Sequence, residues 1–237
     1  MQTARFLRLP ANWLLGLLTL RRIEGRTHLP SQGPCLIVAN HLSFLDAVLV
    51  FALIGGDNLS AWTAEKWQRN LVFGTLLRLG NAFFIRRGQI DRQALERAAD
   101  WLRAGKIFGI APEGTRSRTG GLGQARTGVA YLADLSASPI VPIAHWGTEH
   151  TVRCWMRLRR PRIEMRVGRP FLLPPLDPDD RGTSLRRNAD EVMCHLAALL
   201  PPAYRGAYAS HPRLLELLED PQGGSTSPSL GKDLSRL

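Results

Sequence analysis

What most constrains the fold of this chain is the exchange of two hydrophobic periods along it. Short apolar runs, CLIVA (35–39), AFFI (82–85), IFGIA (107–111) and IVPIA (140–144), have the length and residue types of buried strands. Segments with apolar residues three and four apart lie between them. In the clearest, residues 91–104, Ala94, Leu95, Ala98, Trp101 and Leu102 share one face, and Gly105 follows as a stop signal. Further helices are expected at 43–54, 66–79, 127–136 and 184–200. RIEMRVG (162–168) alternates in the manner of a half-buried strand. Strands exchanging with helices define an α/β class: a single domain with a central, mostly parallel or mixed sheet flanked by helices.

The expected domain spans residues 23–210. With 237 residues, 44% of them hydrophobic, the chain can bury a core without covalent staples. LLPPLDPDDRG (172–182) is a turn-rich linker ahead of the last long helix. Residues 211–237 form a C-terminal tail, dominated from Pro221 onward by Gly, Ser and Pro and expected to be disordered there. The three cysteines, Cys35, Cys154 and Cys194, are far apart and show no CxxC spacing, which argues against a disulfide framework or a zinc site. No His, Cys or carboxylate cluster suggests a metal, and HExxH, Walker A and GxSxG patterns are absent.

Net charge is +11, carried almost wholly by arginine, because lysine occurs only at Lys66, Lys106 and Lys232. Arginine forks suit phosphate, and the charge points to nucleic acid, anionic headgroups or phosphorylated substrates. Nucleic acid is disfavoured, since aromatic residues are sparse near the basic clusters and no helix-turn-helix or RNP pattern is visible. At the N-terminus, Leu14, Leu15, Leu17, Leu18 and Leu20 surround Trp13, with Arg5, Arg8, Arg21 and Arg22 on either side. As a helix, Trp13–Leu20 would rise only ~12 Å, short of the roughly 30 Å of a bilayer core. Residues 1–22 are therefore expected to form an amphipathic membrane-interface helix, the alternative being a terminal helix packed on the domain.

Three polar clusters follow expected strands, the positions where α/β folds gather ligands. They are NHLSFLD (40–46), IRRG (85–88) and PEGTRSRTG (112–120). Ser43 with Asp46 has the form of a helix cap followed by an acid in the first turn. That reading accounts for Asp46 and leaves His41 unexplained. A carboxylate at position 46 could also reach back to one imidazole nitrogen and leave the other free as a base. The two roles are compatible. In the third cluster Gly114 would let backbone approach an anion, with Arg116 and Arg118 adding charge-assisted hydrogen bonds.

NHLSFLD, GNAFFIRRG, PEGTRSRTG and IVPIA together resemble the four successive blocks of the glycerolipid acyltransferase family, which includes the lysophosphatidic acid acyltransferases. The resemblance runs from about Arg22 to Thr148. It implies that His41 is a general base oriented by Asp46. It also implies that Arg87, Glu113, Gly114, Thr115 and Arg116 hold the acceptor's phosphoglycerol portion, with Arg87 and Arg116 on the phosphate. The implied reaction moves a fatty acyl group from acyl-CoA or acyl carrier protein to 1-acyl-glycerol 3-phosphate, giving phosphatidic acid by direct attack and without a cofactor. The implied setting is the cytoplasmic face of a membrane, with the membrane surface, a lysophospholipid and the thioester donor as partners and no nucleic acid. The alternatives are the same chemistry on glycerol 3-phosphate, another lysophospholipid or an amino-acid-containing lipid, or a non-catalytic basic lipid-binding module.

Overall fold

A computed structural model describes residues 3–85 and 92–219 of the chain. Seven strands form one sheet: β1 (Leu20–Glu24), β2 (Cys35–Ala39), β3 (Leu59–Ala64), β4 (Phe83–Ile85), β5 (Ile107–Ile110), β6 (Ile140–Trp146) and β7 (Arg162–Val167). Their spatial order is β1-β7-β6-β2-β5-β3-β4. All neighbours run parallel except β6 and β7, which are antiparallel. The described helices are α1 (Thr3–Leu18), α2 (Leu45–Ile54), α3 (Leu71–Leu79), α4 (Arg92–Arg103), α5 (Gly128–Ser136), α6 (Thr151–Met156), α7 (Arg181–Leu199) and α8 (Pro212–Glu219).

The period-two rule explains why a five-residue run such as β2 can be apolar throughout. Leu36 and Val38 point into one core, where α4, α5, α7 and α8 contribute Ala98, Leu102, Val129, Leu132, Val192 and Leu214. Cys35 and Ile37 point into the other, with Leu15 of α1 and Leu45, Leu49 and Leu53 of α2. The sheet is thus covered on both faces, with β2 near its middle. Parallel β2, β5 and β6 all end on the same edge, and the loops that follow them meet there.

Several elements differ from the sequence reading. β1 occupies part of the stretch assigned to the N-terminal anchor. It escapes pattern reading because Arg21 and Arg22 interrupt the apolar alternation, which an edge strand tolerates. Arg21 is satisfied by donating to Asn12 Oδ1 and Asn12 O, and Arg22 pairs with Glu24. β3 is masked by small polar residues; its buried Ser60 hydroxyl donates to Asn81 O at 2.7 Å. α8 falls in the stretch assigned to the tail, yet buries Leu214 and Leu217. Residues from Pro221 on, read as disordered, lie outside the described residues, as does Arg87. Among the described residues no helix is long and apolar enough to cross a membrane.

α1 rests on α2 through polar contacts. Arg8 donates from Nε to Ala52 O and from an η nitrogen to Leu53 O, occupying carbonyls of the last turn of α2. Asn12 also donates to Ala52 O. The opposite face carries Phe6, Leu9, Trp13 and Leu17, all exposed, at spacings of three and four that place them in one stripe.

α8 is held to α7 by Arg213, which forks onto both carboxylate oxygens of Glu191. His195 Nε2 meets the same carboxylate at 3.1 Å. Burial alone would raise the Glu191 pKa, but the hydrogen bonds from His195 and Arg213 outweigh it and bring the carboxyl down to about 2. A depressed carboxyl stabilises the fold above its unfolded value of about 4.3, and that contribution fades as pH falls toward 2. Glu191→Gln is therefore expected to cost about 2–3 kcal/mol at neutral pH. Denaturant titrations should show the gap to wild type narrowing between about pH 4.5 and 2; a gap independent of pH would remove the ion pair as its cause.

Candidate active site

The loops after β2, β5 and β6 converge on His41. Phe44 occupies the N-cap position of α2, and Asp46 lies in the helix's first turn, nearly fully buried. Asp46 Oδ2 accepts backbone N–H bonds from Leu42 and Ser43, both at 2.7 Å. The same oxygen lies 2.8 Å from His41 Nδ1. Ser43, expected as the cap, lies one residue ahead of Phe44, and its hydroxyl accepts from Leu45 N at 3.0 Å. The carboxylate therefore satisfies free N–H groups ahead of the helix and engages the imidazole with one oxygen. Because a carboxylate only accepts, Nδ1 carries the proton and Nε2 keeps its lone pair. The His41 side chain is 25% exposed, so that lone pair can be reached.

Asp46 Oδ1 is occupied as well. Thr148, in the 3-10 turn Thr148–His150 after β6, donates its hydroxyl at 2.7 Å, and the Ser43 hydroxyl lies at 3.3 Å. His145, wholly buried at the end of β6, brings Nε2 to 3.1 Å from Oδ1, off the line of a good hydrogen bond. Burial by itself would raise the pKa of Asp46. The imidazoles of His145 and His41 and the N–H of Ser43 more than offset this and hold the carboxyl well below the usual range. Asp46 is an anion at any ordinary pH.

Two further side chains lock the backbone around His41. Asn40 donates to His145 O at 2.8 Å and accepts from His145 N at 2.9 Å, joining the ends of β2 and β6. Glu113, after β5, accepts from His41 N with Oε1 at 3.1 Å and from Gly123 N with Oε2 at 2.8 Å. Burial pushes its carboxyl above the ordinary value, while those two N–H groups act in the other direction. Ser117 N then donates to His41 O at 2.8 Å. The PEGTR loop is thereby stitched to both sides of the His41 peptide.

Of the residues expected at the acceptor, Glu113 uses both oxygens within the protein. Gly114 takes a left-handed φ of 67°, and an added Cβ would come within 2.7 Å of the Arg126 side chain. Thr115 and Arg116 are exposed on the same loop, as are Arg118 and Arg126. Sequence reasoning missed Asn40, His145, Thr148 and Arg126 as members of the site. Only Asn40, adjacent to His41, carried any local signal. His145 and Thr148 reach Asp46 from about a hundred residues away, which no spacing reveals. Among the described residues no three His, Cys, Asp or Glu side chains gather to hold a metal ion.

A family model described as Acyltransferase matches residues 21–146. The chain is 31% identical over 133 residues to the chloroplastic 1-acyl-sn-glycerol-3-phosphate acyltransferase BAT2 of Brassica napus, covering 53% of this chain and 37% of that protein. It is 34% identical over 131 residues to human 1-acyl-sn-glycerol-3-phosphate acyltransferase beta, covering 52% and 45%. The chain thus spans less than half the length of these relatives. The crystal structure of the 1-acyl-sn-glycerophosphate acyltransferase PlsC from Thermotoga maritima superposes with a TM-score of 0.61. It covers 79% of this chain and 75% of its own, at 23% identity, a likeness of fold.

The Asn40 clamp has a direct test. Asn40→Asp sets a carboxylate oxygen against His145 O and is expected to cost about 2–4 kcal/mol. Urea unfolding should show a lower midpoint at unchanged slope; a wild-type midpoint would show that the clamp contributes nothing.

Proposed function

Since the chain belongs to the acyltransferase family, we propose that it transfers a fatty acyl group from a thioester to the free hydroxyl of 1-acyl-glycerol 3-phosphate, giving phosphatidic acid. The observation that carries this reading is the His41–Asp46 pair, with one imidazole nitrogen held at 2.8 Å and the other left to solvent. The names of the relatives, each a 1-acyl-sn-glycerol-3-phosphate acyltransferase, support the choice of acceptor.

We assign these steps to the His41–Asp46 pair. His41 Nε2 takes the proton of the acceptor hydroxyl as its oxygen attacks the thioester carbonyl. Asp46 fixes the ring and balances the imidazolium that forms. The tetrahedral intermediate collapses with cleavage of the C–S bond, and the imidazolium returns its proton to the departing sulfur. An ester and a free thiol result, and no acyl-enzyme is needed. A thioester is already activated, so holding the hydroxyl in place supplies much of the rate. Glu113 acts on the acceptor indirectly, by fixing the His41 peptide and the loop that carries Arg116. Arg116 binds the acceptor phosphate, with Arg87 as its expected partner and Thr115 beside it on the loop. CoA and acyl carrier protein present the same thioester to this site, and either serves as donor. No cofactor takes part.

We place the enzyme on the cytoplasmic face of a membrane, as a peripheral or monotopic protein, because its acceptor is a membrane lipid. The exposed stripe of α1, Phe6, Leu9, Trp13 and Leu17, suits the headgroup boundary.

Acyl transfer is tested in detergent micelles with lysophosphatidic acid and a long-chain acyl-CoA or acyl carrier protein, following thiol release and phosphatidic acid together. His41→Ala should lower kcat by at least about 10²–10⁴-fold with an unchanged circular dichroism spectrum. Substantial turnover in this variant would remove His41 as the base. Arg116→Ala should raise the acceptor KM about tenfold or more, as loss of a charge-assisted phosphate contact requires, and leave the donor KM alone. An unchanged acceptor KM would take Arg116 off the phosphate.

A further inference from the structure

The connection between β6 and β7 holds the 3-10 turn, α6 and the stretch Arg157–Arg160, all beyond the residues 21–146 that match the family model. α6 presents two neighbouring stripes. Val152 and Met156, four residues apart, are both exposed, and beside them run Arg153 and Arg157, also four apart and exposed. Two residues past the end of α6, Leu158 is 98% exposed and takes a left-handed φ of 53°. Glycine usually fills such a position, because a side chain there is strained. Among the described residues this leucine has no packing to account for it. Arg157 and Arg159 flank it, and Arg153, Arg157 and Arg159 border a shared hollow of about 270 Å³ with His150 and Cys154. None of these three arginines has an ion-pair partner among the described residues.

The placement of α6 matters as much as its composition. Trp155 Nε1 donates to Leu18 O at 3.0 Å, and Arg160 donates to the carbonyls of Gly16 and Thr19. The Trp155 ring meets Phe44 edge-on at 6.4 Å. α6 therefore abuts the end of α1, where Leu17 and Leu20 are exposed, and the start of α2, where Phe44 and Val48 are exposed. Phe44 is three residues from His41.

We propose that residues 152–159 are a second docking element for an anionic bilayer leaflet: Met156 and Leu158 enter its acyl boundary, Arg153, Arg157 and Arg159 take its headgroup phosphates, and the entrance to His41 is turned toward the lipid. The proposal rests on the reading above that the acceptor lives in a membrane. Charge selects the occupant. Apolar side chains among unpaired arginines suit an anionic interface. A second copy of a chain of net charge +11 would set the same arginines against one another.

The test uses the full chain and vesicles of phosphatidylcholine, with and without phosphatidylglycerol, read by sedimentation. Wild type should bind the anionic vesicles and release them as salt rises. The triple variant Arg153→Gln, Arg157→Gln, Arg159→Gln should bind them roughly a hundredfold more weakly, at about a fivefold loss per arginine. Met156→Ser with Leu158→Ser should bind about tenfold more weakly. Both variants should keep wild-type turnover in detergent micelles, which also shows that they fold. Vesicle binding equal to wild type in both variants overturns the proposal. So does a wild-type dimer by light scattering that the serine variant splits while vesicle binding persists. If wild type shows no micellar turnover, the acyl-transfer reading fails on its own, and vesicle binding still decides the docking element.

Discussion

The buried carboxylate of Asp46 organises the edge of the sheet that carries His41. Asp46 is a charge removed from water, tolerable only because donors surround it. Those donors come from the β2 loop through Leu42, Ser43 and His41 and from the turn after β6 through Thr148, with the His145 imidazole 3.1 Å away beside them. The bonds that neutralise the cost of burial are also the bonds that fix the His41 ring. Asn40 and Glu113 extend this outward, tying the same peptide segment to β6 on one side and to the loop after β5 on the other. Each clamp spans strands adjacent in the sheet, so the parallel register of β2 with β5 and β6 is a precondition for the imidazole's position. In this way the position of the His41 ring is inherited from the fold.

The parts of the structure legible in the sequence are those whose physics is local. β2, β5 and β6 are buried on both faces and read as unbroken apolar runs. α4 shows its face at helical spacing. The His41–Asp46 contact spans one helical turn and is visible as a spacing, although spacing alone could not separate a cap from a dyad. The carboxylate does both jobs, which explains the ambiguity. β1 and β3 were invisible because an edge strand tolerates arginines and because a buried serine can satisfy itself on a distant carbonyl. α8 was invisible because its partner, Glu191, lies on another helix. His145 and Thr148 belong to the site only after β6 has been laid beside β2. The family resemblance implied a role for His41, but it assigned none to Arg126 and did not extend past Thr148.

Two populations stand out among the described arginines. Arg8, Arg160, Arg186 and Arg213 donate to carbonyls or carboxylates within the protein and join elements together. Arg116, Arg118 and Arg126 on the loops after β5, and Arg153, Arg157 and Arg159 after β6, face solvent. The solvent-facing group sits on loops that leave the carboxyl edge of the sheet, the edge that carries His41. A field produced there acts on anions that approach this edge, and low-dielectric walls beside it strengthen that action. Arginine suits both populations for one reason: its planar fork makes several hydrogen bonds without giving up its charge. In the first it closes carbonyls at helix ends, and in the second it remains open for phosphate. Arg116, Arg118, Arg126, Arg153, Arg157 and Arg159 thus add positive charge at the edge that carries His41 and at its neighbouring turn.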